Sequence, residues 1–389
     1  MHDTSIIFSL FLVFAGAALI ATLALYARQA LLIAYILVGV LLGPWAFNII
    51  SEPALIADIA NIGILFLLFL LGLSLEPRDL EKLFREALVI TAVSSVLFAL
   101  AGFLVATTFG FSRTDSLLIG ATMMFSSTII ALKLLPTSAL HHQRMGELIV
   151  SVLLLQDMLA ILVLLGLEGI GNKNNLLSET LILFIGLPVM AGAAWWVSTR
   201  VLTVLFQRFS QIQEYLFLVA IGWCLAIAEI ATMIGLSHEV GAFVAGVTLA
   251  TSPVSRFIAE SLRPLRDFFL VLFFFALGAG FDLGALPAVL VPALILAGLS
   301  VWLKPLVFKR LLEREQEKAR MAKETGARLG QISEFSLLIV VVATELQVMS
   351  AQASALVQSA TIISFVASSY WIVRQYPTPI SMDSKLYRD

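Results

Sequence analysis

The sequence predicts an all-α polytopic membrane protein, and three observations carry that prediction. Apolar residues make up 60% of the 389-residue chain and charged residues only 13%, with a mean hydropathy of +1.00; soluble domains use nearer half apolar residues. Breaking the chain at charged and Pro/Gly clusters leaves about 13 apolar segments, most of them long enough to span a bilayer. The basic residues between those segments fall almost entirely on one side.

The first segment, near 6–26, has no positive charge before it and Arg28 after it, the reverse of a secretory leader. It therefore reads as a transmembrane helix with its N-terminus outside. Segments near 30–46, 57–75, 87–110, 115–135 and 146–168 complete a first group of six, a repeat at about 6–168. The segment near 179–205 is a linker helix. Segments near 213–235, 239–251, 267–281, 286–311, 327–347 and 354–375 form a second group, at about 213–375. An odd total places the C-terminus in the cytoplasm. Of the 24 lysines and arginines, Arg113 and Lys173 then lie outside and Lys304 lies within a segment, while all the others face the cytoplasm. That skew is what the positive-inside rule requires, and an error of one helix in mid-chain would destroy it.

The loops are short. The longest charged one, Leu312–Arg328, alternates in sign and predicts a solvated cytoplasmic helix or linker. Residues 1–377 thus form one transmembrane domain, and 378–389 a short cytoplasmic tail. One cysteine, Cys224, allows no internal disulfide, and the four histidines at 2, 141, 142 and 238 lie at segment edges, which gives no support to a histidine metal site. There is no P-loop, no nucleotide fingerprint and no aromatic-basic surface for nucleic acid, so no cofactor is expected. An intramembrane enzyme would need a second intramembrane aspartate or a Ser/His pair, and none accompanies Asp157.

Asp157 is the only ionisable residue between Leu148 and Leu167 and sits next to Gln156. An acid buried in the membrane must be paired, protonated or functional, and function is the default expectation. Two other polar interruptions stand out: Ser126, Ser127 and Thr128 in the fifth segment, below Gly120, and Gln331, Ser333 and Glu334 in the twelfth, after Gly330. Serine and threonine in such helices often only bond back to a carbonyl one turn earlier. Here the two clusters hold corresponding places in two six-helix repeats, the second inverted because an odd number of helices separates equivalent positions. Paired broken helices in inverted repeats mark a transporter site near the midplane. Their unwound carbonyls and half-helix ends present partial charges of both signs, for which Asp157 and Lys304 are available. Lys304 lies near Lys309 and Arg310, so snorkelling is an open alternative, and Pro305 beside it frees the carbonyl of Val301 and predicts a kink. Glu229 lines the same cavity or sits at the outer interface. Glu168, Glu239 and Glu345, at segment ends, are expected to be solvated, and Trp195 and Trp196 to face lipid or pack.

These stretches also resemble a known family. LGPW (Leu42–Trp45), NIGILFLLFLLGLSLEP (Asn61–Pro77), SSTIIALKLL (Ser126–Leu135), LLLQDMLAIL (Leu153–Leu162), GAFVAGVTLATS (Gly241–Ser252), LRPLRDFFLVLFFFALGAGFD (Leu262–Asp282) and GQISEFSLL (Gly330–Leu338) look like the membrane domain of the Kef-type monovalent cation/proton antiporters, in the family's order across nearly the whole chain. The resemblance implies a homodimer in a lipid bilayer, the inner membrane if the source is bacterial. Its fold would be sodium/proton antiporter-like, with two crossing broken helices in a core domain, a dimerisation domain and elevator-like alternating access. It matches Asp157 to the family's cation- and proton-binding acid and Gln156 to the residue before it, which is Gln in the potassium branch and Asn or Asp in many sodium/proton relatives. Ser126, Ser127 and Thr128 match the first broken helix, Gln331, Ser333 and Glu334 the second, and Lys304 the family's membrane lysine. There are departures. Gly146-Glu147 stands where relatives commonly have Gly-Arg, and Ile332-Ser333-Glu334 where they have Gly-Gly-Glu or Arg-Gly-Glu. Kef systems also continue into a cytoplasmic nucleotide-binding domain that senses glutathione. This chain has none, so a separate regulatory subunit or a missing C-terminal domain is expected instead.

The expected function is exchange of a monovalent cation for protons, potassium favoured over sodium, with Asp157 alternately holding cation and proton. One titrating acid suggests one-for-one exchange, unless Lys304 also loses a proton in the cycle. Two alternatives use similar parts: a channel-like potassium efflux pathway, and a sodium-coupled organic-anion symporter, for which the polar inventory is sparse.

Overall fold

A computed structural model describes residues 6–378 except 28, 30, 51–58, 60, 61, 64, 67, 71, 74–76, 136–143, 172–184, 210, 235, 237 and 253. The described residues are helical throughout their regular structure. In chain order the helices are α1 (Ile6–Tyr26), α2 (Leu31–Leu42), α3 (Pro77–Thr108), α4 (Arg113–Met123), α5 (Thr128–Lys133), α6 (Arg144–Gly171), α7 (Leu187–Val197), α8 (Thr203–Arg208), α9 (Gln213–Met233), α10 (His238–Ala250), α11 (Ser255–Ala279), α12 (Leu286–Gly298), α13 (Lys304–Arg314), α14 (Ala319–Arg328), α15 (Glu334–Glu345) and α16 (Ala351–Gln375). π-helical turns at Ser198–Leu202 and Leu299–Leu303 join α7 to α8 and α12 to α13.

Among the described residues, seven helices or joined helices are long and apolar enough to cross a membrane, and two shorter apolar helices accompany them. The gap from 13 segments has physical causes. The fifth segment is two short helices, α4 and α5, either side of an extended stretch, and the twelfth is α15 preceded by a similar break. The third, near 57–75, lies partly outside the described residues. The protein is a multi-pass integral membrane protein.

The helices pack as two bundles. In one, α3, α4, α6, α12, α13, α14, α15 and α16 contact each other; in the other, α1, α2, α7, α9, α10 and α11 do. The first is the core bundle, organised on one large apolar cluster that includes Phe98, Leu153, Phe308 and Leu356. The second is the scaffold, with its own clusters around Phe206 and Ala228 and around Val38 and Phe275. One tight scaffold crossing is α2 on α11. A Cβ on Gly39 would collide with the carbonyl of Phe275, and one on Gly278 with that of Ile36, so only glycine lets these backbones approach. Each half of the chain contributes early helices to the scaffold and late helices to the core, as two repeats would.

Local sequence explains the element ends. Ser112 caps α4, its hydroxyl accepting from Asp115 N at 3.0 Å, and Ser350 caps α16, accepting from Ala353 N at 3.2 Å. A proline stands at the start of α12, where its missing donor costs nothing. The charged stretch before the twelfth segment departs from expectation. It forms α14, but one face of α14 is buried rather than solvated, from Ala322 to Arg328. The reason is Gly326: a Cβ there would stand 2.5 Å from the Pro305 carbonyl, so α14 lies directly on α13.

Candidate functional site

α4 ends at Met123 and α5 begins at Thr128, and Met124–Ser127 between them is not α-helical. Such a break exposes carbonyls at the C-terminal end of α4 and amides at the N-terminal end of α5. Gln156 of α6 braces it: its Nε2 donates to Met124 O at 3.1 Å, and its Oε1 accepts from Ser126 N at 2.9 Å. Ser127 caps α5, its hydroxyl accepting from Ile130 N at 3.2 Å. Ser126 reaches the other half of the chain, its hydroxyl donating to Leu329 O at 2.8 Å.

The second break runs from the end of α14 to the start of α15, where Ser333 Oγ accepts from Phe335 N at 3.1 Å. Gln331 spans both interruptions. Its Nε2 donates to Arg328 O at 2.9 Å and to Ser127 O at 3.3 Å, and its Oε1 accepts from Ser368 of α16 at 3.1 Å. The two broken helices therefore meet at their interruptions, as the sequence predicts.

Lys304 sits where the two sets of carbonyls converge. Its Nζ donates to Phe125 O at 2.6 Å and to Gln331 O at 3.1 Å, and lies 5.3 Å from the centre of the Phe98 ring. The side chain is 1% exposed, so the snorkelling alternative does not hold. The π-turn just before it accounts for its position: the N–H of Lys304 bonds to Leu299 O, five residues back. Pro305 then packs on Gly326 and Gly330. The kink expected at Pro305 thus takes the form of a π-turn on its N-terminal side.

Asp157 occupies the opposite pole, beside the N-terminal end of α5. It is 1% exposed, and the Thr128 hydroxyl donates to it, 3.2 Å from Oδ2 and 3.4 Å from Oδ1. Asp157 takes part in none of the ion pairs among the described residues, so a permanent salt bridge is not its role. Glu334, at the first position of α15 and 4% exposed, is close enough for its charge to act on Asp157. The crossing is thus electrically ordered: a cationic side chain answers the carbonyl ends, and carboxylates gather at the amide ends.

Of the residues that sequence singles out, Ser126, Ser127, Thr128, Gln156, Asp157, Lys304, Gln331, Ser333 and Glu334 come together here. Glu229 stands apart on the scaffold, its side chain 60% exposed and 3.4 Å from His238. Trp195 and Trp196 are exposed on the apolar outside. The side chains of Glu168 and Glu239 lie outside the described residues.

Sequence reasoning missed four contributors, Ser336, Ser364, Ser368 and Arg328. Ser364 Oγ accepts from Ile332 N at 3.1 Å, and Ser336 Oγ donates to Thr122 O at 2.6 Å. Ser364 and Ser368 are four residues apart on one face of α16, and that polar stripe was the available signal. Arg328, counted as a cytoplasmic charge, is fully buried. It donates to Leu134 O at 2.7 Å, to Glu324 Oε1 at 2.7 Å and to Pro377 O at 2.8 Å, tying both broken helices to the stretch just after the last helix.

Comparison with known proteins follows this geometry. Residues 10–374 match the sequence family described as sodium/hydrogen exchanger, transmembrane. The chain is similar to the iron transporter MagA of Paramagnetospirillum magneticum, at 27% identity over 89% of this chain and 80% of that one. It is also similar to K(+) efflux antiporter 5 of Arabidopsis thaliana, at 29% identity over 87% of this chain and 61% of that one. The glutathione-regulated potassium-efflux system protein KefC of Cronobacter sakazakii is 29% identical over 92% of this chain and 58% of its own length. The chain therefore spans about three fifths of these two efflux proteins. In fold it resembles the sodium proton antiporter MjNhaP1 from Methanocaldococcus jannaschii, with a TM-score of 0.68, 17% identity, and coverage of 93% of this chain and 94% of that chain.

Proposed function

From the premise that this chain belongs to the sodium/hydrogen exchanger transmembrane family, we propose that it exchanges potassium for protons by alternating access, with Asp157 holding either the cation or the proton. The observation that carries this reading is the setting of Asp157: a buried carboxylate with a hydroxyl donor, no ion pair among the described residues, and a second carboxylate close by. An ionised carboxylate in that position is costly to leave uncompensated, so a proton or a metal cation belongs on it, and whichever binds excludes the other. That mutual exclusion, combined with access from alternate sides, is exchange. A difference of one pH unit would supply about 1.4 kcal/mol to a one-for-one cycle.

Potassium is favoured over sodium on two grounds. The efflux relatives carry potassium in their names, and the residue next to Asp157 is an amide, Gln156, rather than a second acid, a weaker ligand field than adjacent acids, which suits the more readily dehydrated ion. Iron, named for one relative, finds less support, because no group of three or more His, Cys, Asp or Glu among the described residues is placed to hold a metal ion. Lys304 fixes the two carbonyl ends and, on this reading, stays out of the proton cycle. The core bundle is the moving part and the scaffold the dimerising one, with the N-terminus outside and the C-terminus in the cytoplasm. The membrane is a bacterial inner membrane, and regulation comes from a separate subunit or a further C-terminal domain.

The test is recovery of a quenched pH dye in proteoliposomes with an acid interior, on adding potassium or sodium, with the membrane potential clamped. Recovery driven by potassium and absent in Asp157→Asn is the expected result. Potassium flux that charges the membrane without proton movement would replace the exchanger with a channel.

A further inference from the structure

Two cavities lie along the line where α11 of the scaffold faces α15 of the core. The larger, about 490 Å³, opens between the C-terminal ends of α11 and α15 and the start of α16, with Asp282, Thr344, Glu345 and Gln358 among its polar lining. The smaller, about 20 Å³, has room for roughly one water molecule and is lined by Glu334, Leu338 and Phe335 of α15 and by Phe269, Leu270 and Phe274 of α11, among others. Phe273 is the one residue that lines both.

The pattern behind this is a pair of matching helix faces. On α15, Glu334, Leu338, Val341 and Glu345 recur at intervals of four, three and four, which is one face of an α-helix, and it runs from the crossing to the open end. On α11 and its C-terminal cap, Phe269, Phe273, Ala276 and Gly280 recur at the same intervals. Beyond Phe273 the α11 face is small, alanine then glycine, and the space is wide; at Phe273 and below it is aromatic, and the space closes to the size of one water. Phe273 is only partly buried, meets the Phe274 ring edge-on at 5.1 Å between centroids, and packs against apolar clusters of both bundles, so it closes the seam between them.

We propose that Phe273 is a gate of the exchange cycle. Its ring separates a wide vestibule from the chamber at Glu334, the carboxylate whose charge acts on Asp157, so that ion or proton access from the vestibule requires the ring to move. The inference rests on the reading that the crossing at Asp157 is the exchange site. It adds a steric element from the scaffold to a site otherwise built from the core. Because the gate and the chamber's carboxylate sit on different bundles, any displacement of one bundle along the other would carry Glu334 past Phe273.

Thiol labelling tests this directly, because Cys224 is the only native cysteine and is buried. Single Leu338→Cys and Thr344→Cys variants in sealed vesicles are treated with a trimethylammonium methanethiosulfonate from the side on which Thr344→Cys reacts. Leu338→Cys should react slowly with Phe273 present and at least roughly tenfold faster with Phe273→Ala, with Phe273→Leu between them. Unchanged labelling of Thr344→Cys in each Phe273 background shows that the vestibule is intact. Fast labelling of Leu338→Cys with Phe273 in place would overturn the gate, and so would no acceleration in either Phe273 variant while Thr344→Cys still reacts. Asp157→Asn separates the two claims: it abolishes exchange if the proposed site is right and leaves the labelling pattern unchanged.

Discussion

The core bundle and the scaffold are built from similar apolar helices, yet they treat polar groups in opposite ways. Every buried charged side chain among the described residues, namely Asp115, Asp157, Lys304, Arg328 and Glu334, belongs to the core. The scaffold buries hydroxyls instead, and its best-connected polar contacts are Ser198 Oγ donating to Thr248 O at 2.8 Å and the Trp223 ring N–H donating to Ala245 O at 3.2 Å. A scaffold helix satisfies its own backbone and needs nothing more from its side chains. The two broken helices of the core do not, and each break recruits side chains from elsewhere: Gln156 and Lys304 for the first, Ser364, Ser368 and Lys304 again for the second. The core keeps costly polar groups because its interrupted backbone makes a site, while the scaffold stays apolar because it has only to support one.

Substitutions in the two bundles should therefore separate widely. Lys304→Met removes the shared donor from Phe125 O and Gln331 O and leaves both carbonyls buried, a loss of about 3 kcal/mol from two charge-assisted hydrogen bonds; denaturation in micelles should show it, with exchange falling to background. Gln156→Leu keeps the volume but drops the brace on Met124 and Ser126, with an expected loss of about 2 kcal/mol and a weakened apparent potassium affinity in the dye assay. Ser198→Ala in the scaffold should cost about 1 kcal/mol and leave the exchange rate unchanged. Glu229→Gln should alter stability by less than about 0.5 kcal/mol, since its pair with His238 is exposed on both sides, and should leave exchange unaltered. A scaffold substitution as damaging to exchange as Gln156→Leu would break the contrast.

The sequence announced the core better than the scaffold, for the same reason. Polar residues in an apolar segment are conspicuous, so Asp157, the Ser126–Thr128 run, Lys304 and the Gln331–Glu334 cluster were all legible, as was the pairing of two broken helices. Their use was less so. Gln156 reads as a ligand in sequence, but both polar ends of its amide are occupied by the backbone of the break. Arg328 reads as a solvated charge because nothing in a one-dimensional pattern shows Gly326 laying α14 on Pro305. The π-turn before Lys304 has no composition signal beyond Pro305. The division into two bundles depends on which apolar faces meet, and helices that are apolar all round do not encode that in periodicity.

The central claim, that proton and potassium compete for Asp157, is tested most directly by adding potassium to the purified, detergent-solubilised protein in weak buffer with a pH indicator and no gradient. Binding of a cation to a protonated acid must release the proton. The account predicts release of about one proton per chain from the native protein and none from Asp157→Asn. Potassium binding without proton release from the native protein would contradict it.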